Sequence, residues 1–255
     1  MVTTEARLRK YVLDYPVDLC SSADALTIIK NCWRSNMGLH IITLNAEMIM
    51  AAKQNKKLDS IIRQAGLIIP DGAGVVLALK LQGCNTRRLP GIELAYSTLE
   101  IAAKNNIAIS LIGGSPEVLN YLKYSLPQQI PGLNLVYCQD GYFGADQLQT
   151  IIDNIHAQNA QLVLVAMGVP KQEYFIEKAQ LGTNHAVFIG VGGSFDVWAD
   201  KKLRAPKVWQ DYQVEWLYRL ISEPWRFERM ANTLPIFACQ VIFNQIKMWL
   251  TNEQK

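Results

Sequence analysis

Residues 161–180 read QLVLVAMGVPKQEYFIEKAQ. The first half is a continuous apolar run, the second carries apolar residues at helical spacing, and Gly168 and Pro170 break the chain between them. A strand that is apolar on both faces belongs in a sheet covered on both sides. The same pattern recurs in both directions. LHIITL (39–44), GLIIP (66–70), IAISLIG (107–113), LNLVYC (133–138) and HAVFIGVG (185–192) are short β-rich runs. SSADALTIIKNCW (21–33), GIELAYSTLEIAAKNN (91–106) and SPEVLNYLKYSL (115–126) have helical spacing. Alternation of this kind predicts an α/β fold, a Rossmann-like parallel sheet with right-handed connections and helices on both faces.

Composition narrows the function classes. The 255 residues are half hydrophobic and 18% charged, an ordinary soluble mixture with enough chain for one large core and an appendage. A net charge of +3 is too mild to point to nucleic acid. The five cysteines are scattered, odd in number and free of any CxxC pair, so neither a disulfide framework nor a zinc site is indicated and a reducing cytosol fits. His40, His156 and His185 show no ligand spacing and read as structural. The N-terminus lacks the apolar core of a signal peptide, and no run reaches the ~18 to 20 apolar residues that span a bilayer. ANTLPIFACQVIFNQI (231–246), with Asn232, Pro235, Gln240 and Asn244, suits a membrane surface better than its interior.

Near residue 200 the strand pattern stops while Trp and Arg become frequent, which divides the chain into an α/β catalytic domain, 1–199, and a helical appendage, 200–255. Two or three short helices are expected in the appendage, one of them capped by Ser222 with Pro224 in its first turn. Its last segment alternates Ile236, Phe237, Val241, Ile242, Ile246 and Trp249 with Gln240, Asn244 and Lys247, a pattern for a helix lying on a membrane or against another subunit.

Ligands of open parallel sheets bind beyond the strand C-termini. In LIGGSPEV the glycines Gly113 and Gly114 lead into a helix opened by Ser115, an arrangement that suits a phosphate or an ordinary tight turn. GVGGSF departs from a dinucleotide fingerprint, with Phe195 at the third glycine position and no clear helix after it. In GVPKQE, Gly168, Gln172 and Glu173 are either ligand groups or a solvated helix start. Asp71 follows Pro70 at a strand end, close to Thr43 and Asn45 if the first two strands pair. Partly removed from water there, its carboxylate would be raised in pKa and suited to taking a proton from an alcohol. No D-x-D triplet offers a cradle for a divalent cation. Arg219, Arg226 and Arg229 alternate with Trp216, Tyr218, Trp225 and Phe227, either as diphosphate ligands at a lipid boundary or as a basic face paired with Glu215, Glu223 and Glu228.

TLNAEMI, IIPDGAGVVLA, RLPGIEL, LIGGSPEV, VAMGVPKQE, GVGGSFDVWAD, RAP and EWLYRLISEPWRFERM together resemble, in order and from about residue 40 to 230, the WecG/TagA/CpsF glycosyltransferase family. The resemblance implies an inverting transferase, needing no metal or other cofactor. It would move N-acetylmannosamine or its uronic acid from UDP to N-acetylglucosamine on undecaprenyl diphosphate, for a cell-surface polysaccharide. It implies Asp71 as base, Thr43, Asn45 and Gln172 in the site, and Arg219, Arg226 and Arg229 on the lipid diphosphate. It also implies a cytoplasmic enzyme held peripherally on the inner face of the plasma membrane, with a tail that closes over the site there. Deleting the chain beyond about 200 is then expected to leave a folded core that binds UDP. Two other classes share the sheet: a non-catalytic nucleotide-sugar-binding protein, and a nicotinamide oxidoreductase, which lacks its fingerprint here.

Overall fold

The computed structural model describes residues 8–182, 185–202, 204–212, 215–222 and 227–252. The chain opens with a hairpin, β1 (Arg9–Val12) and β2 (Tyr15–Asp18), and continues through α1 (Ser22–Arg34), β3 (Leu39–Leu44), α2 (Ala46–Lys53), α3 (Lys56–Gln64) and β4 (Leu67–Pro70). It proceeds through α4 (Ala73–Leu81), α5 (Gly91–Lys104), β5 (Ala108–Gly113), α6 (Pro116–Gln129), β6 (Asn134–Gln139), α7 (Leu148–Ala157), β7 (Leu162–Ala166), α8 (Lys171–Gln180) and β8 (Val187–Gly190). Four helices follow among the described residues: α9 (Ser194–Trp198), α10 (Lys207–Asp211), α11 (Glu215–Ser222) and α12 (Phe227–Asn252).

Strands β3 to β8 form one six-stranded sheet in the order β4-β3-β8-β7-β5-β6, and its ladders are parallel. The side-chain period of two sorts each strand between two layers. Leu39 and Ile41 of β3 face α1, α5 and α6, whereas Ile42 and Leu44 face the hairpin, α2 and α4. Both faces are buried, as the unbroken apolar runs require. Each fully buried Leu or Ile contributes about 1.5–3 kcal/mol, so register is strongly held. Side chains cap some of the helix starts: Asn45 Oδ1 accepts from the Met48 N–H to open α2, and Ser115 Oγ accepts from the Val118 N–H to open α6.

Two features depart from expectation. The N-terminal hairpin was not anticipated: its turn places Leu13 and Asp14 at positive φ without any glycine. Buried Asp18 then ties it to the sheet, accepting from Arg9 and from the Ile68 N–H. A short helix, α9, does open within GVGGSF, at Ser194. Ser222 ends α11, its hydroxyl donating to the Tyr218 carbonyl, and the helix expected to carry Pro224 in its first turn lies outside the described residues.

Among the described residues the tail holds two short helices, α10 and α11, and the 26-residue α12, which covers the last segment expected to be helical. Phe237 is buried between α12 and the main body, together with Leu234 and Val241, against residues of α2 and α4. This packing stabilises the helix despite the missing N–H of Pro235. The opposite face of α12 exposes Ile236, Phe243, Ile246 and Leu250. No helix among the described residues is long and apolar enough to cross a membrane.

Candidate active site

Register brings the first group together. Thr43 pairs with Ile69 and Leu44 with Pro70, so Asn45 and Asp71 leave adjacent strand ends side by side. The Asp71 N–H donates to the Leu44 carbonyl, which fixes the turn out of β4. The Asp71 side chain is a quarter exposed and its Oδ1 accepts from the Gly91 N–H at 3.0 Å. Gly91 opens α5 directly over Thr43: a Cβ on it would lie 2.5 Å from Thr43 Cγ2. The Thr43 hydroxyl donates to the Gly190 carbonyl at 3.3 Å, linking β3 to β8 at the same edge. Asn45 spends its side-chain oxygen on the α2 cap, which leaves its NH2 to meet a ligand.

Arg88 completes the group and was not singled out from sequence. It stands between α4 and α5, and its Nε donates to the Asp71 carbonyl oxygen. Its Nη2 lies 3.6 Å from Asp71 Oδ1, and its Nη1 donates to Glu215 Oε2 at 2.9 Å. Burial works against the Arg88 charge, but Asp71 and Glu215 outweigh it, so its basicity is raised. Asp71 was expected to be a carboxylate made basic by loss of water alone. Instead a guanidinium and a backbone amide face it, and both stabilise the anion.

Gln172 and Glu173, expected against the substrate or in solvent, lie below the loop surface at 2% and 1% exposure. Gln172 Oε1 accepts from the Gly168 and Gly192 N–H groups, bracing the loop after β7 against the loop after β8. Its Nε2 donates to Glu173 Oε1 at 2.8 Å, while Glu173 Oε2 is buried with no hydrogen-bond partner. Burial pushes the Glu173 carboxyl up to about 7, against the opposing hydrogen bond from Gln172.

The glycine loop turns sharply. Gly113 has φ +108°, and a Cβ there would meet the Ala166 carbonyl oxygen at 2.3 Å, so only glycine fits. The Gly114 N–H, expected to face a phosphate, donates instead to the Ala166 carbonyl. The parallel order puts this loop four strands from β4, and at about 4.8 Å per strand that is roughly 19 Å along the edge from Asp71. A diphosphate on Gly113 would be too far from an anomeric carbon beside Asp71, so the loop suits the nucleoside end of a ligand. The loop after β8, with Gly192 and Gly193, borders β3 and lies between them.

Among the predicted arginines, Arg219 lies on α11 and Arg229 on α12, while Arg226 lies outside the described residues. Glu215, read as one partner of a solvated basic face, is 3% exposed and reaches Arg88. Two surface hollows of about 310 and 400 Å³ share Leu13, Asp14 and Lys53 and include none of the predicted site residues. His40, expected to be structural, is buried and pushed down to about 3 by loss of water, so it stays neutral. Among the described residues no three His, Cys, Asp or Glu side chains gather to hold a metal ion.

A model of the glycosyl transferase WecG/TagA/CpsF family matches residues 10–250, a longer span than the motifs alone cover. The chain belongs to this family. It is therefore a glycosyltransferase of cell-surface polysaccharide synthesis, from a family that suggests nucleotide-sugar and lipid-linked sugar substrates. Membership sets aside the nicotinamide oxidoreductase. The Rossmann-like sheet supplies the edge on which such a transferase arranges its loops.

Proposed function

We propose that the protein is an inverting transferase that moves N-acetylmannosamine, or its uronic acid, from UDP to N-acetylglucosamine on undecaprenyl diphosphate, with no metal or other cofactor. The observation that carries this reading is the setting of Asp71. An exposed edge of its carboxylate stands at the carboxyl end of the sheet beside Thr43, Asn45 and Arg88, in a chain of this family. In one displacement, the acceptor hydroxyl gives its proton to Asp71 as its oxygen bonds the anomeric carbon. The bond from that carbon to the diphosphate oxygen breaks, UDP leaves with the electron pair, and the configuration inverts. Charge on the leaving diphosphate meets the loop after β8, while Arg219, Arg226 and Arg229 meet the lipid diphosphate of the acceptor. The uridine end lies toward Gly113, Gly114 and Gly168, and Gln172 and Glu173 serve by bracing the loops.

The exposed Ile236, Phe243, Ile246 and Leu250 share one face of α12 and suit a headgroup boundary on the inner face of the plasma membrane. That face equally admits a second copy of the chain. A panel of UDP-sugars with a short-chain lipid-diphosphate N-acetylglucosamine, read by mass spectrometry with and without EDTA, tests the reaction. The expected result is one disaccharide product with stoichiometric UDP, insensitive to EDTA. Binding of UDP-sugars without any product would favour the non-catalytic nucleotide-sugar-binding reading.

A further inference from the structure

We propose that Glu215 is a positioning residue, through which the C-terminal helices set the Arg88 guanidinium against the catalytic carboxylate. This rests on the reading of Asp71 as base. Arg88 spans two parts of the chain: Asp71 is 17 residues away and Glu215 is 127 residues away. The guanidinium is a rigid planar fork, so fixing two of its nitrogens fixes the third. Nε is held by the Asp71 carbonyl oxygen and Nη1 by Glu215, and Nη2 is thereby kept 3.6 Å from Asp71 Oδ1. That separation exceeds the usual 2.7–3.2 Å of a hydrogen bond. The cation stabilises the carboxylate from there without occupying an oxygen that must take a proton.

Glu215 is buried almost completely, and the Arg88 side chain is 17% exposed, so their attraction is poorly screened. A second contact makes the same connection. Arg204, also in the tail, pairs with Glu93 in the first turn of α5, the helix whose Gly91 N–H holds Asp71. The tail therefore grips residues 88–93 at both ends, and this segment carries both groups that touch the Asp71 carboxylate in the pairs described. Without the Glu215 charge, Asp71 is the nearest remaining carboxylate to Arg88, with Glu93 the other charge acting on it. The guanidinium then closes on Asp71 as a bidentate pair and blocks proton transfer.

The test uses the full chain with Glu215→Gln and Glu215→Asp, each also in an Arg88→Lys background. Measurements are kcat and KM for the UDP-sugar, UDP affinity, and circular dichroism as a check on folding. Glu215→Gln is expected to lower kcat about 10-fold, within the range for residues that act through others, while KM and UDP affinity change less than about twofold. Glu215→Asp should recover part of the loss. With Arg88→Lys in place, the further loss from Glu215→Gln should be under about twofold, because the route is already broken. Unchanged kcat in folded Glu215→Gln, or an equal loss in both backgrounds, would overturn the proposal. Should Glu215→Gln not fold, Glu215→Asp in the two backgrounds decides by the same comparison. An active Asp71→Asn variant would remove the base and this proposal together; an inactive one beside fully active Glu215→Gln would remove the positioning role alone.

Discussion

Replacing Gly91 with alanine places a methyl group where the structure has no room for one. The new Cβ would stand 2.5 Å from Thr43 Cγ2 and 3.0 Å from Thr43 Cβ, whereas carbon atoms in contact prefer about 3.5–4.0 Å. Thr43 cannot turn away freely, because it is β-branched and its hydroxyl bonds the Gly190 carbonyl. The start of α5 must therefore lift by roughly 1 Å, stretching the 3.0 Å bond from the Gly91 N–H to Asp71 beyond hydrogen-bond range. Overpacking of this kind costs about 1–3 kcal/mol. At about 2–4 °C per kcal/mol for a chain of this size, thermal unfolding should fall by roughly 2–12 °C. Turnover should fall about 10- to 100-fold, since misplacing a reacting group by about 1 Å has that effect. Circular dichroism melting and UDP release with acceptor present measure the two losses. Adding Thr43→Ser deletes Cγ2 and keeps the hydroxyl, so the double variant should recover much of both. A Gly91→Ala protein with normal melting and turnover, or one that Thr43→Ser does not improve, would refute the close packing of α5 on the catalytic edge.

Two further outcomes follow from burial. Glu173 has its ordinary value of 4.5 raised to about 7, so the folded state holds its proton more tightly than the unfolded state does. Stability should drop as pH rises from about 4.5 through 7 and stay low above, by at most about 3 kcal/mol from this group. Glu173→Gln should flatten that segment of the profile in urea unfolding at a series of pH values, and an unchanged slope would count against it. Phe237 is 4% exposed against α2 and α4, and its ring would lie 3.2 Å from a Cβ on Gly74. Phe237→Ala should cost about 3–5 kcal/mol in denaturant unfolding, and no loss would mean that α12 stands off the main body in solution. By the same packing, a cut near residue 200 would uncover apolar surface of α2 and α4.

The six strands of the sheet were legible because each is an apolar run closed by a turn residue, such as Pro70 or Gly113, where local pattern and tertiary burial agree. The hairpin was not, because Leu13 and Asp14 occupy turn positions where Asn-Gly would signal it, and buried Asp18 and Arg9 find each other only in the fold. Asp71, Thr43 and Asn45 could be placed together from strand adjacency alone. Arg88 could not, since its role depends on Glu215, 127 residues away, and RLPGIEL carries no local mark of that partner. Gln172 and Glu173 were read by residue type as ligands or solvent groups. Bracing of Gly168 and Gly192 has no sequence signature, because it depends on where two loops end in space.

The most direct test is turnover of Asp71→Asn on the UDP-sugar and lipid-linked acceptor pair, with folding and UDP affinity checked in the same preparation. Asparagine keeps an oxygen to accept from the Gly91 N–H but cannot take the acceptor's proton. The account predicts near-normal UDP binding and a loss of kcat on the order of 100-fold or more. A folded Asp71→Asn protein that transfers sugar at close to the normal rate would contradict it.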